Sequence, residues 1–128
     1  ARVVKRFNPH VLSISDTVGN ADPQGIRSVV TAVRKEAGTA ELGMHLHMPA
    51  ANALSNGLLD AAWDSGIRRF DTALLGLGGC PYAQNELVGN LPTEALLTFA
   101  TARGGTFGVK PLALESAHNA AREFFNYL

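Results

Sequence analysis

Two periodicities alternate along the chain. Val11-Leu12-Ser13-Ile14-Ser15 switches between apolar and polar positions with a period of two, the pattern of a half-buried strand. A turn-rich stretch follows, Asp16-Thr17-Val18-Gly19-Asn20-Ala21-Asp22-Pro23. Asp22 is a good helix N-cap, and Pro23 suits the first helical position. Ile26, Val29, Val30, Val33 and Ala37 then recur at helical spacing, and Gly38 is placed to close that helix. Residues 41–47 (Glu-Leu-Gly-Met-His-Leu-His) predict a second strand. Leu54, Leu58, Ala61 and Ala62 mark a second helix that ends near Gly66. Residues 67–74 predict a third strand, and residues 75–90 a long loop. Pro92 opens a helix running to about Ala102, and Gly104, Gly105 and Gly108 break it. A final helix over about 112–126 sets Ala117, Ala121, Phe124 and Leu128 on one face.

Alternation of strands and helices implies a parallel sheet, because parallel strands need crossover connections. A complete (β/α)8 barrel takes about 250 residues, and this chain has 128. Three strands cannot close a barrel, and an open three-stranded parallel sheet leaves its edges unpaired. The pattern therefore predicts an α/β chain, 1–128, that is one part of a larger barrel or a protomer completed by a partner.

Composition narrows the partners. Eleven basic residues balance eleven acidic ones, with no basic run, which argues against nucleic acid or an anionic membrane surface as the main partner. No apolar stretch approaches the ~18 residues of a membrane span, and no signal-peptide pattern is visible. At 46% hydrophobic and 17% charged residues, the chain has the means to build a packed core. A single cysteine, Cys80, excludes an internal disulfide and points to a reducing compartment.

Three features carry chemistry. In His45-Leu46-His47 the two imidazoles are two residues apart on a strand, so they share a face with Gly43, while Leu42, Met44 and Leu46 share the other. Two imidazoles so placed can bind one divalent cation or can be hydrogen-bonded, partly exposed histidines. The run Gly76-Leu77-Gly78-Gly79-Cys80-Pro81-Tyr82 permits unusual backbone angles and close approach to a ligand. Cys80 at its end is either an acid–base group of lowered pKa or a buried structural thiol. Asp16, at the end of the first strand, either handles substrate or a proton, or is a turn aspartate bonded to its own backbone. Alternation puts it with Leu12 and Ile14, so an inward aim needs a local change at the strand end. Asp71 reads as an inward structural carboxylate, and Asn90 as a helix N-cap or an oxygen ligand for a metal. His10 and His118 read as surface or linker residues, Arg68-Arg69 and Arg34-Lys35 as solvated charge, and Trp63 as packing. No P-loop, dinucleotide fingerprint, Cys-x-x-Cys or Gly-x-Ser-x-Gly is present.

Taken together, Ser13-Ile14-Ser15-Asp16-Thr17-Val18-Gly19, His45-Leu46-His47, Gly76-Leu77-Gly78-Gly79-Cys80-Pro81-Tyr82-Ala83 and Gly89-Asn90-Leu91-Pro92-Thr93-Glu94 resemble 3-hydroxy-3-methylglutaryl-CoA lyase. The resemblance covers nearly the whole chain, and the cysteine loop is its most specific part. It implies the C-terminal part of a TIM barrel, about three βα units plus terminal helices. It implies cleavage of 3-hydroxy-3-methylglutaryl-CoA to acetyl-CoA and acetoacetate. It implies Mg2+ or Mn2+ held by His45, His47 and Asn90 with an aspartate from an earlier strand. It makes Cys80 and Asp16 catalytic and Gly76, Gly78 and Gly79 part of the substrate loop. The implied partners are an acyl-CoA, the missing barrel half or another subunit, and a second copy in a homo-oligomer. The implied compartment is cytoplasmic in a bacterium and the mitochondrial matrix in a eukaryote.

The sequence also departs from the family pattern. The early strands that carry an Asp-Arg pair and a glutamate in the family are not found here. Met48-Pro49 follows His47 where the family commonly has a polar Asp or Asn, and the stretch from Cys80 to Asn90 is slightly longer than in many members. Two other classes stand beside the lyase: a related aldolase or Claisen metalloenzyme acting on another acyl-CoA or oxo acid, and a non-catalytic half-barrel that folds by docking to a partner. The cysteine loop argues for the lyase, since the synthase and oxo-acid aldolase branches generally lack it.

Overall fold

The structure, a computed structural model, describes residues 6–79 and 88–125. Cys80 and Leu128 lie outside the described residues. Strands β1 (Val11–Asp16), β2 (Glu41–Pro49) and β3 (Arg69–Asp71) run parallel in the order β1-β2-β3. Helix α1 (Pro23–Glu36) joins β1 to β2, and α2 (Leu58–Asp64) joins β2 to β3. A short strand β4 (Val88–Asn90) pairs antiparallel with β2, and α3 (Thr93–Ala102) and α4 (Pro111–Phe125) complete the described chain.

β2 is the central strand and is buried on both faces except at its ends and His45. Register sorts the two faces. Leu12 aligns with Leu42, Ile14 with Met44 and Phe70, and Asp16 with Leu46. That side is the core: Met44, Leu46 and Met48 are 2% exposed or less, and they cluster with Ile26 and Val30 of α1 and Leu58, Leu59, Ala61 and Ala62 of α2. The opposite face carries Ser13 beside Gly43 and Arg69, and Ser15 beside His45 and Asp71. It is polar, with Arg69 Nε on Glu41 at 3.1 Å and Ser13 Oγ donating to Asp71 at 3.3 Å.

The predicted first helix and its cap are as expected. The Asp22 side chain accepts from the N–H groups of Gln24 and Gly25 at 2.9 and 2.8 Å, and Gly38 takes the left-handed conformation (φ +61°) just past the helix end. The second helix begins later than its pattern suggested, at Leu58. Gly57 before it sits at φ +74°, outside helical space, and the Asn56 side chain caps the Leu58 N–H at 3.0 Å. Leu54, placed on the helix by its spacing, is 53% exposed.

The third strand is also shorter than 67–74. Beyond Asp71 the backbone leaves β2 and pairs with the returning chain. The Ala73 N–H donates to Leu91 O at 3.1 Å, and its carbonyl accepts from Thr93 N at 2.9 Å. The predicted loop 75–90 accordingly ends in a strand, β4. The face predicted for the last helix is corrected as well. Leu114, His118 and Ala121 are its half-buried positions, whereas Ala117 is exposed and Phe124 is 64% exposed. His118, read from the sequence as surface, makes the helix's ion pair with Glu94 at 2.7 Å, so a charge partner sets which side docks.

Leu59 and Leu54 separate these assignments by experiment. Leu59→Ala should cost about 2–5 kcal/mol as a cavity in the core, and Leu54→Ala should stay within about 0.5 kcal/mol. Urea midpoints of the purified protein measure both. Equal losses would restore the longer helix.

Candidate functional site

The candidate site forms where β2 changes partner. Its register with β3 ends at His45, opposite Asp71. Two residues on, His47 lies opposite Asn90 of β4. Leu91 bridges the exchange: it is fully buried, its N–H donates to Leu46 O at 3.1 Å, and its carbonyl accepts from Ala73. Strand alternation thus supplies the two imidazoles on one face, and the exchange of partners delivers Asn90 beside the second.

The two imidazoles meet edge to face, with ring centroids 4.7 Å apart and planes at 82°. His47 is buried, at 6% exposure, and its Nδ1 lies 2.9 Å from the carbonyl oxygen of Asp16. A carbonyl can only accept, so this bond puts a proton on Nδ1, and in the neutral ring Nε2 then carries the lone pair. His45 is about one-third exposed, with Nδ1 3.7 Å from Asp71 Oδ2, an ion-pair distance too long for a hydrogen bond.

Asp16 does not turn toward the imidazoles. It stays on the Leu46 side, as alternation dictates, and its carboxylate accepts the N–H groups of Asn20 and Ala21 at 3.1 and 2.9 Å. The carboxylate organises the loop after β1, while the backbone carbonyl orients His47. Gly19 completes that loop at φ +71°; a Cβ there would come within 2.6 Å of Val88 Cγ1 and 3.2 Å of His47 O.

Asn90 is not a helix cap, since Pro92 precedes the first residue of α3 and no side chain caps it. Its Nδ2 donates to Leu77 O at 2.7 Å and its backbone N–H to Gly78 O at 3.1 Å. Among the described residues, the amide oxygen is the group this arrangement leaves for a further partner. The glycines around it are explained by the chain itself. A Cβ on Gly76 would lie 2.8 Å from Asn90 O, one on Gly78 3.0 Å from Asn90 Nδ2, and one on Gly79 2.8 Å from Val88 O. One on Gly89 would collide with Gly76 O. The glycine run lies backbone to backbone against β4, and side chains at these positions would push the two apart.

The run begins at a strained turn. Leu75 adopts φ +59°, a left-handed conformation that costs a non-glycine residue about 1–3 kcal/mol. Both carboxylate oxygens of Glu94 accept its N–H at 3.1 Å, and Glu94 Oε1 also takes His118 Nδ1. Burial pushes the Glu94 carboxyl up, but the hydrogen bonds from His118, its own backbone and Leu75, with the His118 charge, outweigh that and hold it below the ordinary value. Sequence reading missed this brace; Glu94 in the first turn of a helix carried no signal of a partner 24 residues away.

The donor set fits a divalent cation in part. His47 has the tautomer a ligand needs, the support of ligating histidines by a carbonyl or carboxylate is a recurring arrangement, and Asn90 adds an amide oxygen. Among the described residues no three His, Cys, Asp or Glu side chains converge, so the set lacks an anionic ligand.

Comparison with known proteins by sequence points to one family. The HMGL-like family model matches residues 1–121. Human mitochondrial hydroxymethylglutaryl-CoA lyase is 36% identical over 122 residues, covering 93% of this chain and 37% of that protein. The Bacillus subtilis HMG-CoA lyase structure superposes with a TM-score of 0.82 at 30% identity, over 98% of this chain and 41% of that one. An Acinetobacter baumannii HMG-CoA lyase solved with coenzyme A and 3-methylmalate gives 0.72 at 33% identity, over 88% and 36%. The chain therefore spans well under half the length of the relatives it matches, and its sheet is part of a (β/α)8 barrel. Curated relatives include mitochondrial and cytoplasmic lyases.

The brace makes a pH prediction. A carboxyl with a lowered folded pKa contributes fully above its ordinary value of 4.5, and the contribution disappears as pH falls through the lowered value. Glu94→Gln should therefore flatten the acid limb of stability below about pH 4.5, read as urea midpoints between about pH 7 and 3. Parallel acid limbs in the two proteins would remove Glu94 from that role.

Proposed function

The chain belongs to the HMGL-like family, and from that premise we propose that it supplies part of the active site of a divalent-metal-dependent carbon–carbon lyase. The reaction is the retro-Claisen cleavage of 3-hydroxy-3-methylglutaryl-CoA to acetyl-CoA and acetoacetate. The remaining barrel strands come from elsewhere in the same polypeptide or from a partner subunit. The observation that carries the reading is the convergence of His45, His47 and Asn90, with the His47 tautomer fixed by the Asp16 carbonyl.

In this reading His45, His47 and Asn90 hold Mg2+ or Mn2+, together with an aspartate from a strand outside the described residues. A cation there supplies Lewis acidity and a template for the substrate's oxygens. A base removes the C3 hydroxyl proton, the C2–C3 bond breaks, and its electron pair passes to the thioester as an enolate. Protonation of the enolate carbon then gives acetyl-CoA. Cys80, just after the glycine run, is the candidate acid for that step. The Asp16 carboxylate, catalytic by resemblance, would have to leave Asn20 and Ala21 to handle a proton; as it stands, Asp16 serves by orienting His47. The glycine run, held against β4, directly precedes Cys80 in the sequence.

The test is an assay of the protein with its barrel complete, on 3-hydroxy-3-methylglutaryl-CoA, with and without Mg2+ or Mn2+. Chelation should abolish turnover, and His47→Ala should weaken Mn2+ binding by more than about 100-fold, above the loss expected for a supporting group. Cys80→Ser should lower turnover with Mn2+ affinity unchanged. Turnover that survives chelation would overturn the metal-dependent reading, and cleavage confined to another acyl-CoA or oxo acid would replace it with the aldolase one.

A further inference from the structure

We propose that Glu94 and His118 are positioning residues for the Asn90 amide, so that the docking of the terminal helix sets the geometry of the candidate metal site. The inference rests on the reading of Asn90 as a ligand. Its own evidence is a continuous path of contacts. His118, on α4, lies 2.7 Å from Glu94 Oε1. Glu94, in the first turn of α3, takes the Leu75 N–H on both oxygens. Leu75 is the strained residue of the turn Leu74–Gly76, and that turn touches both α3 and α4. The turn closes through Leu77 N on Leu74 O at 3.1 Å. Leu77 O and Gly78 O then accept the side-chain and backbone N–H groups of Asn90.

Each link has few alternatives. Asn90 has its amide nitrogen and its backbone nitrogen on one strip, the adjacent carbonyls of Leu77 and Gly78, so movement of the strip rotates the amide and carries its oxygen with it. The strip already lies close against β4: a Cβ on Gly76, Gly78 or Gly79 would come within 3.0 Å of Asn90 or Val88 atoms. It can relax away from β4 if Leu75 returns to ordinary backbone angles. The Glu94 carboxylate opposes that relaxation, and a negatively charged acceptor binds an N–H more strongly than a neutral one. His118 keeps the carboxylate aimed at the turn. Of the three half-buried residues of α4, Leu114, His118 and Ala121, it alone makes a polar contact among the described residues. The terminal helix thus acts on the site without touching a ligand.

The experiment compares the complete wild-type protein with Glu94→Ala, Glu94→Gln and His118→Ala. It reads amide hydrogen exchange at Leu75 and, on the same samples, Mn2+ affinity from the free-ion paramagnetic signal. Exchange at Val30, in the α1 core, reports whether each variant is folded. Glu94→Ala should raise the Leu75 exchange rate at least about 10-fold and weaken Mn2+ binding about 10-fold, the lower end of what loss of a supporting contact does to a metal site. His118→Ala should move both readouts in the same direction by less. Glu94→Gln retains one neutral acceptor oxygen and should restore part of the Leu75 protection, which keeps the test valid if the alanine variant is poorly folded. Unchanged Leu75 exchange in Glu94→Ala, or faster exchange with Mn2+ affinity intact, overturns the inference while leaving the lyase reading in place. Absence of Mn2+ binding by the wild type overturns both.

Discussion

One edge of β2 serves two partners, and the site depends on where it passes from one to the other. Up to His45 that edge carries the parallel strand β3; from His47 it carries the antiparallel strand β4. A parallel pair alone would have continued past Asp71 and placed residues 72–74 beside His47. Instead the backbone at Ala73 is displaced outward, and Leu91, fully buried, occupies the space with hydrogen bonds to both sides. The exchange brings Asn90, distant in sequence, to the imidazoles at the end of a central strand, a rigid element rather than a loop. Donors on rigid elements are held more closely than donors on loops.

Two kinds of constraint keep the exchange in place. One is steric. The close approach of 76–79 to 88–90 is possible only without side chains, which assigns Gly76, Gly78, Gly79 and Gly89 to packing. The other is electrostatic. The left-handed Leu75 would relax if its N–H were unheld, and the Glu94 carboxylate, itself held by His118, is what the fold uses to hold it. His47 shows the same economy. Its burial is tolerated because its Nδ1–H has an acceptor, and that acceptor is a backbone carbonyl at the end of the neighbouring strand.

What could be read in the sequence follows from the range of each interaction. Alternation in β2 is local, so the shared face of His45 and His47 and the opposite core face of Met44 and Leu46 were legible. The Asp22-Pro23 start of α1 was legible for the same reason. β4 was not, because Val88-Gly89-Asn90 is too short to show a period and is a strand only because β2 offers an open edge there. The early end of β3 was hidden for the matching reason, since Ala73 is captured by residues 91–93. The glycine run was legible as a conformational signal, but its occupant was not: the close approach is to the chain's own backbone. Alternation correctly put Asp16 on the Leu46 side, and the turn reading of its carboxylate matches its two N–H partners. The docked face of α4 was missed because apolar periodicity favoured Ala117 and Phe124, whereas an ion pair to Glu94 selects the side bearing His118.

Ser13, Ser15, His45, Asp71 and the Arg69–Glu41 pair project from the side opposite the hydrophobic core. On a free-standing sheet such a face would need only solvent. A barrel encloses it, and then each polar group must have a partner or a ligand. His45 and His47 and the Asn90 amide contribute neutral donors alone. Hard divalent cations such as Mg2+ draw most of their binding from anionic oxygen. Asp71 is a carboxylate on this face, but it is engaged by Ser13 and His45, and no three such groups converge among the described residues, so a cation here would draw a further carboxylate from the strands that complete the barrel. The same strands would cover the face and supply the charge, which makes closure of the barrel and assembly of the proposed metal site one event.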